Sequence, residues 1–173
     1  MSRRVGLALA VATSLALLAG VAFAVAAPAG TTTLRVVDRP AGEVVHEREV
    51  AVGEEFRLEH RHSVTRRMVY ETFSVLDHDT IAMEELWFDE FGANLPAGPE
   101  DVGGTSTEFI VEDGGFRVVH DSRPLGSLPV VAGSAEVDHT IEFADGGTLR
   151  LLEVVQPGTH VEVRAGDEEA STQ

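Results

Sequence analysis

Short runs of β-favouring residues, separated by turn residues, dominate the chain from Thr32 to Arg164. Turn chemistry divides these runs, for example at Asp113-Gly114-Gly115 and Gln156-Pro157-Gly158. No sustained helical period interrupts them. Short strands at regular spacing with such turns are typical of antiparallel sandwiches and small barrels. The sequence therefore predicts an all-β domain over residues 32–164, an antiparallel β-sandwich or small barrel of about ten strands.

The longest gap between predicted strands runs from Gly92 to Thr105 and contains Pro96, Pro99 and several glycines. Proline cannot donate to a strand ladder, so we predict a loop there and no strand. The predicted strands are Thr32–Asp38, Glu43–Val50, Glu55–Ser63, Met68–Leu76, Thr80–Phe91, Ser106–Glu112, Phe116–Asp121, Leu128–Val131, Ala135–Phe143, Thr148–Val155 and His160–Arg164.

The segment before the β-domain predicts a location outside the cytoplasm. Arg3-Arg4 precedes Val5–Ala27, an uncharged stretch that would span roughly 34 Å as an α-helix. We predict a transmembrane helix that anchors the protein in the cell membrane, and a signal peptide cleaved from a secreted protein is the alternative. In both cases the positive-inside bias places the following domain outside the cytoplasm. Residues 28–31 are predicted to be a linker, and the acidic residues 165–173 a disordered tail.

The charge balance of the chain is strongly acidic. The sequence contains 29 acidic residues against 13 basic ones, for a formal net charge of −16. Repulsion between these negative charges destabilises a compact domain in dilute buffer. In 1 M salt the Debye length is only about 3 Å, so the repulsion is screened. We therefore predict a halophilic protein. Nucleic acid is excluded as an expected partner because phosphate binding needs clustered positive charge. The chain has no cysteine, so it forms no disulfide.

One predicted hairpin concentrates the polar residues of interest. If Glu55–Ser63 and Met68–Leu76 pair with Ser63 opposite Met68, then His60, His62 and Glu71 share one otherwise apolar face. A third strand would add Glu85 to that face and leave Leu86 and Phe88, with Met68 and Tyr70, on the other. The remaining histidines, including His139, are predicted to have surface or structural roles.

Three interpretations of this cluster stay open. Two imidazoles and two carboxyls match the ligands that zinc prefers, which gives a candidate metal site formed by His60, His62, Glu71 and Glu85. A structural polar cluster is the second interpretation and catalysis the third. A serine nucleophile at Ser63 is disfavoured because neighbouring strand residues point to opposite faces and no Gly-x-Ser-x-Gly elbow occurs. We therefore predict that the protein is not an enzyme, and we expect no cofactor.

Several short motifs occur in order along the chain: Phe56-x-Leu58, His62-Ser63-Val64, Val69-x-Glu71, Gly92-Ala93-x-Leu95-Pro96 and, more weakly, Leu125-Gly126-Ser127-Leu128 with Gly133. Together they resemble the domain of unknown function 1850 family. The resemblance covers most of the region from Phe56 to Arg164. Two positions depart from the family pattern: Thr65 stands where an acidic residue is frequent, and Asn94 stands where the family has glycine.

The resemblance implies a role rather than a reaction. Proteins similar to this one look like small extracytoplasmic components found with TAXI-type TRAP transporters. It therefore implies a noncatalytic accessory protein whose partner is a transporter permease or a solute-binding protein. An independent ligand- or metal-binding β-module is the alternative, and a hydrolase is a less favoured one. The implied binding or interaction surface consists of His62, Ser63, Glu71, Gly92, Ala93, Asn94, Leu95 and Pro96.

Overall fold

The computed structural model describes residues 30–102 and 104–166. Within these ranges the chain forms strands and one short 3₁₀ turn at Leu151–Glu153. The strands are β1 (Thr31–Asp38), β2 (Glu43–Ala51), β3 (Glu55–Arg61), β4 (Met68–Val75), β5 (Ile81–Phe88), β6 (Asp101–Val102), β7 (Thr105–Ser106), β8 (Glu108–Glu112), β9 (Gly115–Leu125), β10 (Leu128–Val131), β11 (Thr140–Phe143), β12 (Thr148–Arg150) and β13 (His160–Ala165).

Two antiparallel sheets build the domain, which confirms the all-β prediction. The smaller sheet has the order β10-β13-β1-β2, and the larger has the order β12-β11-β3-β4-β5-β9-β8. Their apolar side chains form one core. Val36 and Val163 from the smaller sheet join Phe73 and Ile81 from the larger. Burying a side chain of this size contributes about 1.5–3 kcal/mol, so this shared core is the main stabilising contact between the sheets.

The two ends of the described chain lie in neighbouring strands of the smaller sheet. β1 pairs with β13, so that Leu34 lies opposite Ala165. Ala165 is only 7% exposed, because alternate residues of β13 face the core. The tail was predicted to start at Ala165, but this residue is the last one of β13. Thr31 was assigned to the linker, but it is the first residue of β1. The predicted anchor over 1–27 and the tail after residue 166 lie outside the described residues.

Several predicted segments differ from the observed ones, and β9, for example, covers Gly115–Leu125 where Phe116–Asp121 was predicted. A turn in which the Asp138 N–H donates to the Ser134 carbonyl occupies the start of the predicted strand at 135–143, so β11 begins only at Thr140. The strand predicted at 148–155 ends at Arg150, where the 3₁₀ turn begins. The prediction that 92–105 contains no strand was wrong, since β6 and β7 form a two-residue ribbon there. Across residues 30–102 and 104–166, no helix reaches the length and apolarity needed to cross a membrane.

The β3–β4 hairpin forms in a register two residues away from the predicted one. Arg61, not Ser63, lies opposite Met68. The connecting loop is closed by two hydrogen bonds, from the His62 N–H to the Arg67 carbonyl and from the Arg66 N–H to the His62 carbonyl, at 2.8 and 2.9 Å. A shift of two residues leaves every side chain on its predicted face. His60 and Glu71 therefore still face the core side of the sheet.

A β-bulge in β5 changes which residues of that strand face the core. The pairing with β4 slips between Thr72 and Phe73, so Glu84 is an extra residue relative to β4. The pairing with β9 is also irregular between Met83 and Glu85, where residues 120–122 of β9 lie opposite Glu84. The Glu84 carboxylate accepts hydrogen bonds from the Ser74 hydroxyl and from the Ser122 N–H and hydroxyl. These bonds tie the bulge to both neighbouring strands.

The bulge overturns two predictions. Leu86 and Phe88, expected on the outer face, are 7% and 1% exposed in the core. Glu85, expected beside Glu71, faces the other side, where one of its carboxylate oxygens lies 3.5 Å from the Arg117 Nη1 atom. An odd number of inserted residues reverses the alternation of side chains in the rest of the strand.

Candidate binding site

A cavity of about 500 Å³ lies between the two sheets, next to the β3–β4 loop. Most of the residues that line it are apolar, and they come from both sheets and from the loop after β5. Its polar lining residues are His60, His62, Ser63, Glu71, Asn94 and His139. The apolar lining residues include Leu58, Val69, Leu86, Leu95, Leu128 and Val130.

A second cavity, of about 760 Å³, is larger but has a different character. It is lined mostly by hydroxyl and charged side chains of the smaller sheet, such as Thr32, Glu49 and Glu162. Of the sequence motifs, only the weaker Leu125-Gly126-Ser127-Leu128 motif contributes to it, through Gly126. Small-molecule sites are typically apolar with a few convergent polar groups, so the 500 Å³ cavity is the candidate binding site.

His62 joins two of the motifs into one unit. The Val64 and Thr65 N–H groups both donate to its Nδ1 atom at 3.2 Å, so Nδ1 carries no proton. The proton is then on Nε2, which donates to the Ala93 carbonyl at 2.9 Å. The ring is 7% exposed. His62 therefore fixes the His62-Ser63-Val64 turn to the loop that contains Gly92-Ala93-Asn94-Leu95-Pro96.

The geometry of that loop explains two residues of its motif. A Cβ atom on Gly92 would lie 2.7 Å from the His62 Cε1 atom, so only glycine leaves room for the imidazole. Asn94 has a φ of 68°, in the left-handed region that glycine and asparagine tolerate best. This conformation accounts for asparagine at a position where the family pattern has glycine.

Glu71 and His60 form the polar floor of the cavity. The Glu71 Oε2 atom lies 3.9 Å from the His60 Nδ1 atom, too far for a direct hydrogen bond. Burial raises the pKa of Glu71 to about 7. Burial also lowers the pKa of His60 to about 4, with the neighbouring imidazoles of His139 and His62 adding to the effect. Near neutral pH the His60 ring is thus uncharged, while the Glu71 carboxyl is partly protonated and partly ionised.

His139 is the site residue that the sequence analysis missed. Its ring stacks on that of His60 with the centroids 4.8 Å apart, and its Nδ1 atom accepts a hydrogen bond from the Gly133 N–H at 3.1 Å. Burial lowers its pKa. The pairing of β11 with β3, in which Thr140 lies opposite Glu59, brings the two histidines together. No local spacing signals this contact, since the two strands are far apart in the sequence.

Most of the predicted interaction surface does converge. His62, Ser63, Glu71, Ala93, Asn94 and Leu95 line the same cavity. Gly92 packs on the His62 ring, and Pro96 is not among the lining residues.

The predicted metal set is not assembled. Glu85 faces the opposite side of the sheet, and both nitrogens of His62 are bonded to the backbone. Over residues 30–102 and 104–166 we find no group of three or more His, Cys, Asp or Glu side chains arranged to hold a metal ion. Ser63 is exposed, and the His62 ring next to it is occupied by backbone bonds, so His62 cannot act as its general base.

Comparison with known proteins agrees with the motifs. The family model described as "Domain of unknown function (DUF1850)" matches residues 56–151. The matched range holds β3 to β12 and every motif that lines the cavity, and it leaves out β1, β2 and β13. No curated protein and no solved structure matches the chain. Because the family model covers more than half of the chain, this protein belongs to the DUF1850 family.

Proposed function

We propose that this protein is a noncatalytic accessory component of a TAXI-type TRAP solute transporter, anchored in the cell membrane by its N-terminal segment, with the β-domain outside the cytoplasm. The family resemblance supplies the transporter context. The observation that carries the proposal is the convergence of His62-Ser63-Val64, Glu71 and the Gly92–Pro96 loop on one cavity and its rim.

The rim of the cavity suits a protein contact. Ser63, Val64, Ala93 and Asn94 are exposed, and the side chain of Val64 is 72% exposed. The bonds of His62 hold both segments in fixed positions relative to each other. A preformed surface loses little conformational entropy on binding, which favours recognition by a partner. We assign the permease or its solute-binding protein as that partner.

A matched pair of variants tests the proposal. The tagged full chain is purified from native membranes in mild detergent and multimolar KCl, and the co-purifying proteins are identified by mass spectrometry. We expect a TAXI-type permease or solute-binding protein with the wild type, and its loss with Val64→Asp. Val111→Asp is the control, because Val111 is also 72% exposed but lies on β8, outside the cavity lining. Recovery of the wild-type protein alone, or equal effects of the two variants, contradicts the accessory role.

An independent ligand-binding module is the second candidate function, and the cavity floor favours it. A half-buried carboxyl and two stacked imidazoles behind apolar walls form a site that a small molecule could fill. The purification experiment separates the two candidates, since an independent module needs no transporter component. Ligand titration then tests the cavity itself.

The acidic surface leads us to propose a high-salt environment. A net charge of −16 creates self-repulsion that salt screens. We expect the melting temperature to rise from dilute buffer to multimolar KCl. A melting temperature that does not change with KCl would contradict this assignment.

A further inference from the structure

We propose that the cavity binds a small organic amine in its ammonium form, with the nitrogen between Glu71 and His60 and an apolar substituent against the cavity walls. This inference rests on the proposed binding role of the cavity and adds the chemical class of its ligand.

The first argument is the missing positive charge beside Glu71. The described lining of the cavity contains no arginine, and the nearest basic group is the His60 ring, 3.9 Å away. Other carboxylates of the domain have arginine partners, for example Asp138 with Arg150 at 2.5 Å. A partly buried carboxylate is stable in its charged form only when a cation or several hydrogen bonds compensate it. A ligand cation would supply that compensation.

The second argument is the position of a Glu71 carboxyl oxygen and of the His60 Nδ1 atom, which accepts a hydrogen bond in the tautomer that has its proton on Nε2. The buried His60 Nδ1 atom has no hydrogen-bond partner in the described part of the chain. With the Glu71 Oε2 atom 3.9 Å away, one nitrogen lying about 2.9 Å from each atom would bond both. An ammonium group carries several N–H donors, so a single ligand atom can serve both acceptors.

The third argument is the apolar wall. Leu58, Val69 and Leu86 line the cavity from the larger sheet, and Leu128 and Val130 line it from β10. The cavity volume of about 500 Å³ lies within the range of about 300–1,000 Å³ that is usual for small-molecule sites. The ligand should therefore carry a hydrocarbon group in addition to its amine.

The binding of an ammonium ion requires ionised Glu71, which predicts the pH dependence. The titratable groups that face Glu71 are His60 from β3, His62 after it and His139 before β11. Burial lowers the pKa of both His60 and His139, so these rings supply no positive charge at neutral pH. Because the pKa of Glu71 is about 7, amine affinity should increase as the pH rises through 7. A carboxylic acid ligand would need protonated Glu71 and would show the opposite trend.

Three ligands of matched shape test the inference: benzylamine, benzyl alcohol and benzoate. Each is titrated into the full-length protein at pH 6 and pH 8 while the Cε1–H resonances of its histidines are followed by NMR. We expect saturable shifts of His60 and His139 with benzylamine, and about tenfold tighter binding at pH 8 than at pH 6. Butylamine serves as a second amine. Failure of both amines to bind, equal or tighter binding of benzoate or benzyl alcohol, or a flat pH profile would overturn the inference.

Glu71→Gln is the diagnostic variant, since it keeps the shape of the side chain and removes its charge. We expect at least a tenfold loss of benzylamine affinity, with the loss larger at pH 8. Glu85→Gln is the matched control on the other face of the sheet and should bind as the wild type does. Retained amine binding by Glu71→Gln would contradict the assignment. If transporter components co-purify but amines do not bind, only the ligand class fails. If amines bind but no component co-purifies, the accessory role fails instead.

Discussion

The two faces of the larger sheet treat their acidic side chains in opposite ways. On the inner face, Glu71 lies in the cavity with two uncharged imidazoles nearby and no arginine. On the outer face, Glu85 and Glu112 both pair with Arg117. The inner carboxyl has a raised pKa because it loses water without gaining a cation. On the outer face, arginine within the fold compensates the carboxylates. On the inner face, the Glu71 carboxyl has no such partner in the cavity lining and is suited to a ligand.

The largest expected effect is the response of Glu71→Gln to pH. The pKa of Glu71 is raised from 4.5 to about 7 in the folded protein, so its contribution to stability is fully present below pH 4.5 and is lost as pH rises through 7. Relative to wild type, Glu71→Gln should therefore gain roughly 3 kcal/mol of unfolding free energy between pH 4.5 and pH 8. Urea unfolding across this range measures it, with Glu85→Gln as the control. A stability difference that is constant with pH would refute the assignment.

His60→Gln should show an effect of comparable size and opposite sign. The pKa of His60 is lowered from 6.5 to about 4, so its contribution is present above pH 6.5 and is lost as pH falls through 4. Relative to wild type, the variant should gain stability as the pH falls from 6.5 to 4. The same urea experiments at acidic pH test this expectation. A gain with rising pH would mean that the His60 ring is charged in the folded protein.

Gly92→Ala should reduce the unfolding free energy by a smaller amount, because it disturbs the contact between Gly92 and the His62 ring. The added Cβ atom would meet the His62 ring, and overpacking of this kind costs about 1–3 kcal/mol. Gly98→Ala is the matched control, because a Cβ atom there has no neighbour within 4 Å. The urea midpoints of the two variants give the comparison. Equal midpoints would show that the contact with His62 does not restrict this position.

The smallest effect is expected on the outer face. Glu85→Gln removes an ion pair with Arg117 whose side chains are 34% and 38% exposed. Exposed pairs contribute about 0.2–1 kcal/mol, and salt screens them further. We expect a loss of that size in dilute buffer and almost none in multimolar KCl. A larger loss that persists in salt would mean that the two faces differ less than their geometry indicates.

Much of the strand pattern could be predicted because it depends on local chemistry. β2, for example, occupies Glu43–Ala51 where Glu43–Val50 was predicted, since a turn at Arg39-Pro40-Ala41-Gly42 sets its start. Errors arose where the hydrogen bonds of a turn or an irregularity in strand pairing decide the outcome. The hairpin register depends on the bonds that close the His62–Arg67 loop, and the side on which Glu85 lies depends on the bulge at Glu84.

The candidate site divides in the same way. The motif residues His62, Glu71 and Asn94 could be identified in the sequence, and alternation along the strands correctly placed Glu71 on the face of His60. His139 could not be found, because β11 comes to lie beside β3 only in the folded sheet. The cavity could not be predicted from the pattern of apolar residues, because β10 contributes one of its walls from the smaller sheet.

The sequence by itself determined the all-β class, most strand positions and the motifs of the site. These features follow from turn residues, side-chain alternation and glycine conformations, which act over a few neighbouring residues. Only the tertiary structure decided which carboxyl is buried without a cation. It did so because the bulge at Glu84 turns Glu85 outward to Arg117 and leaves Glu71 with His60 and His139. Burial and the distance to other charges set the pKa of Glu71, and both are fixed only when the sheets assemble.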